Sequence, residues 1–188
     1  MCQSKIGMTE QIFAATERLM EVSGLHCLSM HKIAKEANIS VGTIYLYFKN
    51  KDELLEQFAR RLFLFFCENL GKDYDDTLSY FEQYRRMWLN LWNLLNNNPK
   101  LLININQYHS LFMFYNVFEK EKNAKYWEQF CQRGIQENAL CELPPKILFI
   151  LGLETAINLA LDKESLNQSL SDDMLERIIE RSWRAIKK

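Results

Sequence analysis

Between Leu28 and Leu54 the chain starts a helix three times, and no other stretch constrains its fold as tightly. Ser29 is a residue type whose side-chain oxygen accepts from a free amide in the first helical turn. Leu28 before it and Ile33 at the fourth helical position make a hydrophobic staple that fixes the angle of entry. Ser40, flanked by Ile39 and Ile44, repeats the device, and Asn50 with Glu53 supplies a third start as a capping box with asparagine in the serine role. Met30, Ile33, Ala34 and Ala37 form one apolar face, and Ile44 and Phe48 another. Helices of two turns bury too little to stand alone. Their faces must pack on each other and on the preceding helical stripe, Ile12, Ala15, Thr16, Leu19 and Met20, which runs from Thr9 to Ser23 and stops at Gly24. The bridge Ala37-Asn38-Ile39 has the length of a helix-turn-helix connection, and asparagine tolerates the left-handed conformation such a bridge needs.

The polar side of this unit is basic. Lys32, Lys35, Lys49 and Lys51 stand against Glu36 alone, in a chain of 188 residues whose formal net charge is -1. A chain that is not basic overall can attract phosphate only through such a local patch. The second short helix, Ser-Val-Gly-Thr-Ile-Tyr-Leu-Tyr-Phe from Ser40 to Phe48, turns Val41, Thr43, Tyr45 and Tyr47 away from the Ile44/Phe48 core. Small residues at its start allow a close approach of backbone to a major groove, and hydroxyls there can reach phosphates or base edges.

The run LSMHKIAKEANISVGTIYLYFKNKDELL resembles the DNA-binding signature of the TetR family of transcriptional regulators: a helix with an Ile-Ala pair, a small turn, S-x-G-T-I-Y-x-Y-F, and then K-x-K-D-x-L-L. The resemblance covers about residues 9 to 55. It implies that Ser29 and His31 meet phosphate and base edges and that Val41, Gly42 and Thr43 form the groove-reading end. It places Tyr45 and Tyr47 on the DNA backbone and Lys51 at a phosphate. His31 stands where the family often has arginine, and Lys5 is the one basic residue ahead of the first helix.

Beyond residue 50 the expectation is helix throughout. Six Gly and three Pro are too little punctuation for a many-stranded sheet fold. Helices are expected from near Lys51 to Leu70, Asp75 to Asn97, Ala124 to Asn138, Pro145 to about Leu161 and Asp172 to Lys187, with further helix of uncertain breaks between Pro99 and Glu121. The fold class is therefore all-α, some nine helices. Residues 1–50 are expected to form a helix-turn-helix DNA-binding domain, and residues 51–188 a helical ligand-binding and dimerisation domain.

Most aromatic side chains fall between Tyr74 and Phe130. At helical spacing such residues serve first as core. Yet Tyr and Trp carry polar atoms that want partners when buried, and Tyr84, Trp88, Trp92, Tyr108, Phe112 and Trp127 suit an adaptable pocket for a small hydrophobic or aromatic ligand. The family resemblance implies an inducer site in this region. In the closing segment Met174, Leu175, Ile178, Ile179, Ser182, Trp183 and Ile186 form an apolar stripe, and Gly152, Ala156 and Ala160 make a strip of small residues. Both features suit either packing within the chain or association. The resemblance implies a homodimer through the last two helices, bound to a palindromic operator in double-stranded DNA. Glu154 and Asn158 interrupt the apolar surface, facing solvent, a dimer seam or a ligand.

Other chemistries find little support. No G-x-S-x-G elbow, glycine-rich phosphate loop or H-E-x-x-H is present, so no catalytic residue is assigned. The five cysteines lack a C-x-x-C pair, and His26, Cys27 and His31 do not make a ligand set, so neither metal nor cofactor is expected. Sensing through Cys67, Cys131 or Cys141 would require reactive thiols, whereas buried cysteines are normally inert. The start MCQSKIGM lacks a signal peptide's apolar stretch, and Ile147 to Leu153, the longest apolar run near the C-terminus, is far below the ~20 residues of a membrane span. A cytoplasmic protein without membrane attachment is expected.

Overall fold

The computed structural model describes residues 2–109, 125–162 and 170–188. Its helices are α1 (Cys2–Ser23), α2 (Met30–Glu36), α3 (Val41–Tyr45), α4 (Lys51–Leu70), α5 (Tyr80–Asn97), α6 (Pro99–His109), α7 (Lys125–Gln136), α8 (Pro145–Leu151), α9 (Glu154–Leu161) and α10 (Asp172–Ile186), with a 3-10 turn at Leu25–Cys27. The fold is all-α. No strand occurs among the described residues, only an isolated bridge between Leu140 and Lys187.

Two compact units emerge. Residues up to Phe63 and the end of α6 from Ile103 belong to the first, and Leu64–Leu102 with the described residues from Lys125 onward to the second. Helices α4 and α6 each contribute to both. In the first unit α1 packs on α2 and α2 on α3. Ile12, Ala15, Met20, Ile33, Ala34, Ile44, Leu54, Phe58 and Ala59 are fully buried there. The Phe13 ring lies 5.7 Å from Phe48 and 5.5 Å from Phe58, so one aromatic side chain joins α1, the end of the α3 turn and α4. In the second unit α5 packs against α9 and α10, and α8 against α7, α9 and α10.

Helix α1 begins at Cys2 rather than Thr9, so Lys5 lies within it and not ahead of it. Two further boundaries differ from expectation, each for a local reason. Helix α5 begins at Tyr80 rather than Asp75 because Asp75 Oδ1 accepts from the Thr77 amide (3.0 Å) and hydroxyl (2.6 Å), closing a turn. Ser79 then caps the helix by accepting from Glu82 N. The expected helix from Pro145 to Leu161 is split at Gly152-Leu153. The Thr155 hydroxyl donates to Gly152 O at 2.6 Å and so takes a carbonyl that a continuous helix would use. A Cβ at Gly152 would lie 3.0 Å from Leu148 O, 3.2 Å from the Tyr84 ring and 3.3 Å from Ile186, so any larger residue would have to push these neighbours aside.

Candidate nucleic-acid interface

The reading head is held by its caps. Ser29 Oγ accepts from Lys32 N and Ser40 Oγ from Thr43 N (3.0 Å), as their positions predict. Asn50 Oδ1 accepts from Glu53 N at 2.8 Å, but Glu53 returns its carboxylate to the Lys49 amide (2.6 Å), one residue before the place a reciprocal box requires. Between α2 and α3, Asn38 adopts φ 54. Around it Asn38 N donates to Lys35 O and Ile39 N to Ala34 O, the paired bonds of a Schellman ending. Gln11 Nε2 donates to Ala37 O at 2.6 Å, adding a side-chain cap from α1.

These anchors leave one polar face. His31, Lys32, Lys35, Gly42, Tyr45 and Lys49 are exposed, and Ser29, Val41, Thr43, Tyr47 and Lys51 are half-buried. Glu36, the one acid opposing the lysines, is paired with Arg18 Nε at 2.7 Å, which removes its countercharge from the face. Lys32 Nζ donates to Cys27 O at 2.8 Å and is partly committed. Thr43 Oγ1 lies 2.8 Å from Ser40 Oγ, so the cap also orients the hydroxyl at the start of α3.

Gly42 is informative for what surrounds it. A Cβ built there meets only Ser40 Oγ, at an ordinary 3.7 Å, so packing within the chain does not demand glycine. Its effect is outward: it leaves the exposed start of α3 flat. Lys51 opens α4, where the helix dipole disfavours a cation. Sequence reasoning passed over Leu46, which is 83% exposed beside Tyr45 at 48%. The signal was available, because Ile44 and Phe48 point inward and residue 46 must then point out.

The expected ligand residues occupy the second unit's core as far as they are described. Tyr84 is fully buried, its hydroxyl donating to Ser182 Oγ at 2.7 Å, and burial raises its phenol well above the usual range. Trp88 is fully buried, donates from Nε1 to Thr155 Oγ1 at 2.8 Å, and stacks on Trp92 with centroids 6.1 Å apart. Trp127 Nε1 donates to Pro145 O at 2.8 Å, and its ring stacks on Phe130 at 5.4 Å. Phe112 and the side chain of Tyr108 lie outside the described residues, as do Met113 to Phe118. A polar cleft of about 240 Å³ is lined by Tyr74, Asp76, Gln129, Gln132, Arg133 and Gln136, and not by the expected aromatics.

The closing helices divide between core and surface. Gly152, Ala156 and Ala160 are buried inside the unit, so the small-residue strip serves packing within the chain, close to Tyr84 and Ile186 at Gly152. Trp183 is half-buried with its ring 5.3 Å from Tyr84 and 6.0 Å from Phe81. The apolar surface lies elsewhere on the same elements: Ile147, Ile150 and Leu151 of α8 and Met174 of α10 are each 40–43% exposed. Asn158 is exposed and Glu154 half-buried. No helix among the described residues is long and apolar enough to cross a membrane, and no cluster of three or more His, Cys, Asp or Glu among them could hold a metal. Burial raises the Cys131 thiol, which disfavours its thiolate.

Comparison with known proteins covers both units. Residues 12–58 match the family model for bacterial regulatory proteins of the tetR family, and residues 79–187 match a tetracyclin repressor-like C-terminal domain. An uncharacterised HTH-type transcriptional regulator of Haemophilus influenzae is 53% identical over 188 residues, covering 100% of both chains. The crystal structure of a TetR-family transcriptional regulator from Haemophilus influenzae superposes with a TM-score of 0.87 at 53% identity, over 99% of this chain and 100% of that one. A TetR-family protein from Vibrio parahaemolyticus gives a TM-score of 0.82 at 34% identity, over 95% and 98%.

Proposed function

The chain belongs to the TetR family of transcriptional regulators, and from that premise we propose that it is a homodimeric, cytoplasmic repressor that leaves a palindromic operator when a small hydrophobic or aromatic molecule binds its second unit. Its action is binding rather than catalysis. The observation that carries the DNA reading is Gly42, a glycine that nothing in the chain's own packing requires, at the exposed start of α3. Flanked by Val41 and the oriented Thr43 hydroxyl, it offers a backbone close enough for base edges. Ser29 and His31 are assigned to phosphate and base edges, Tyr45 and Tyr47 to the DNA backbone and Lys51 to a phosphate, with Lys35 and Lys49 adding charge.

Dimerisation is assigned to the exposed apolar residues of α8 and α10, since four large apolar side chains on two adjoining helices exceed what scattered surface residues need. The ligand is assigned to the aromatic residues of the second unit, Tyr84, Trp88, Trp92 and Trp127. The support is chemical: indole and phenol groups on helices α5 and α7 offer apolar walls with a few fixed donors. Ligand binding there would shift α4, which runs from Lys51 at the reading head into the second unit, and a population shift of this element would misalign the two heads.

Selection of bound duplexes from a random pool, followed by gel-shift titration and footprinting, tests the reading. A palindrome protected in two half-sites about 34–36 Å apart is the expected result. A one-sided footprint from a monomer would overturn the symmetric arrangement.

A further inference from the structure

The turn between α1 and the reading helices is closed by a residue far away in sequence. Gly24, at φ 76 and ψ 161, ends α1 and precedes the 3-10 turn, whose start has no side-chain cap of its own. The amide of Leu25 would be left without an acceptor at this corner. Gln107 of α6 supplies one: its Oε1 accepts from Leu25 N at 2.8 Å, while its Nε2 donates to Met20 O at 3.1 Å. One side-chain amide therefore holds both sides of the glycine break. One turn earlier on α6, fully buried Asn104 donates from Nδ2 to Glu17 Oε1 at 3.2 Å, so the same face of α6 is fastened to α1 a second time.

The corner governs the helices on its far side. Leu25 and Leu28 are buried, α2 starts at Met30, and Lys32 Nζ reaches back to Cys27 O at 2.8 Å. The direction in which the chain leaves Gly24 thus sets how α2 and α3 lie against α1. We propose that Gln107 is a positioning residue for DNA binding, holding this corner in the geometry that lets α3 enter a groove while making no contact with DNA itself. The inference rests on the reading of α3 as the DNA-contacting helix and goes beyond it.

Gln107→Leu removes both bonds at similar size. Gln107→Glu keeps an acceptor for Leu25 N but places a carboxylate against Met20 O. On a duplex selected with the full-length wild-type chain, both variants should bind at least about tenfold more weakly. The slope of log affinity against log salt should stay unchanged, since no phosphate contact is lost. Hydrogen exchange at the Leu25 amide should speed up in Gln107→Leu and stay slow in Gln107→Glu. A protonated Glu can again donate to Met20 O, so the deficit of Gln107→Glu relative to wild type at the same pH should narrow as pH falls from 7.5 toward 5. The wild-type reference corrects for Glu17, Glu21 and His26 nearby in the chain. If Gln107→Leu loses helical circular dichroism, the isosteric Gln107→Glu decides. Folded variants with wild-type affinity would overturn the proposal while leaving the DNA reading intact. A changed salt slope would overturn it by making Gln107 a direct DNA contact. Failure of the wild type to select any duplex would overturn both.

Discussion

Trp88 Nε1 donates to Thr155 Oγ1 at 2.8 Å, and the same hydroxyl donates onward to Gly152 O at 2.6 Å. This two-bond relay ties the middle of α5 to the break between α8 and α9, so a fully buried tryptophan and a helix interruption share one atom. Thr155→Val keeps the shape but removes that atom. It leaves a buried indole N–H without an acceptor, a loss of about 1–3 kcal/mol. Urea unfolding should show a lower midpoint at unchanged slope, and an unchanged midpoint would mean that the relay adds no stability.

Gly42→Ala separates folding from function. Alanine is favoured over glycine inside a helix by about 0.5–1 kcal/mol, and the added methyl meets only Ser40 Oγ at 3.7 Å. The variant should therefore unfold at a slightly higher temperature and yet bind its selected duplex more weakly. Unimpaired DNA binding by this stabilised variant would remove Gly42 from the interface.

Lys51 and Thr43 should fail in different ways. Lys51→Ala is expected to weaken binding to all sequences alike and to lower the salt slope by roughly 1 per protomer. Thr43→Ala is expected to alter sequence preference, with the loss of its Ser40-oriented hydroxyl. Salt titrations on selected and scrambled duplexes distinguish the two. A changed preference with an unchanged slope in Lys51→Ala would contradict its phosphate role.

Local chemistry was readable from sequence, and tertiary placement was not. Ser29, Ser40 and Asn38 act through atoms within a few residues, so residue type and spacing are enough to give their caps and the left-handed turn. The break at Gly152 could not be foreseen, because it depends on Thr155 and on side chains brought in by α5 and α10. The strip of Gly152, Ala156 and Ala160 has a periodicity that says close approach without saying to which partner; it lies buried within its own chain. The pairing of Gln107 with Leu25 spans 82 residues, and a glutamine in a helix carries no signal of such a bond.

For the dimer, the partition within α8 and α10 gives opposing expectations. Ile150 is 43% exposed and Trp183 is packed on Phe81 and Tyr84. Ile150→Glu should raise the dimer dissociation constant at least about a hundredfold, near 2.7 kcal/mol, with little change in the fold of the protomer. Trp183→Ala should instead lower stability by about 2–3 kcal/mol, below the 3–5 of a fully buried tryptophan. Sedimentation equilibrium and thermal unfolding on both variants measure the contrast. A folded Ile150→Glu that dimerises like wild type would move the interface away from α8.

Ligand sensing is tested through Trp88 and Trp92. Their stacked rings, 6.1 Å apart, belong to one face of α5 with Tyr84, and each indole is a fluorophore whose surroundings a bound molecule would change. Screening hydrophobic and aromatic compounds for tryptophan quenching, then for release of the selected duplex, should yield molecules that do both. Linkage sets a stringent condition: a compound that weakens DNA affinity by some factor must bind the DNA complex more weakly by the same factor. Trp92→Ala should loosen such a compound while leaving DNA binding by the empty protein near wild type, since Trp92 belongs to the second unit and none of the proposed DNA contacts do. Trp88→Ala should additionally lose stability, because its N–H and fully buried ring serve the core. Compounds that release DNA equally well from wild type and Trp92→Ala, without quenching, would place the ligand elsewhere and leave these rings with packing as their whole role.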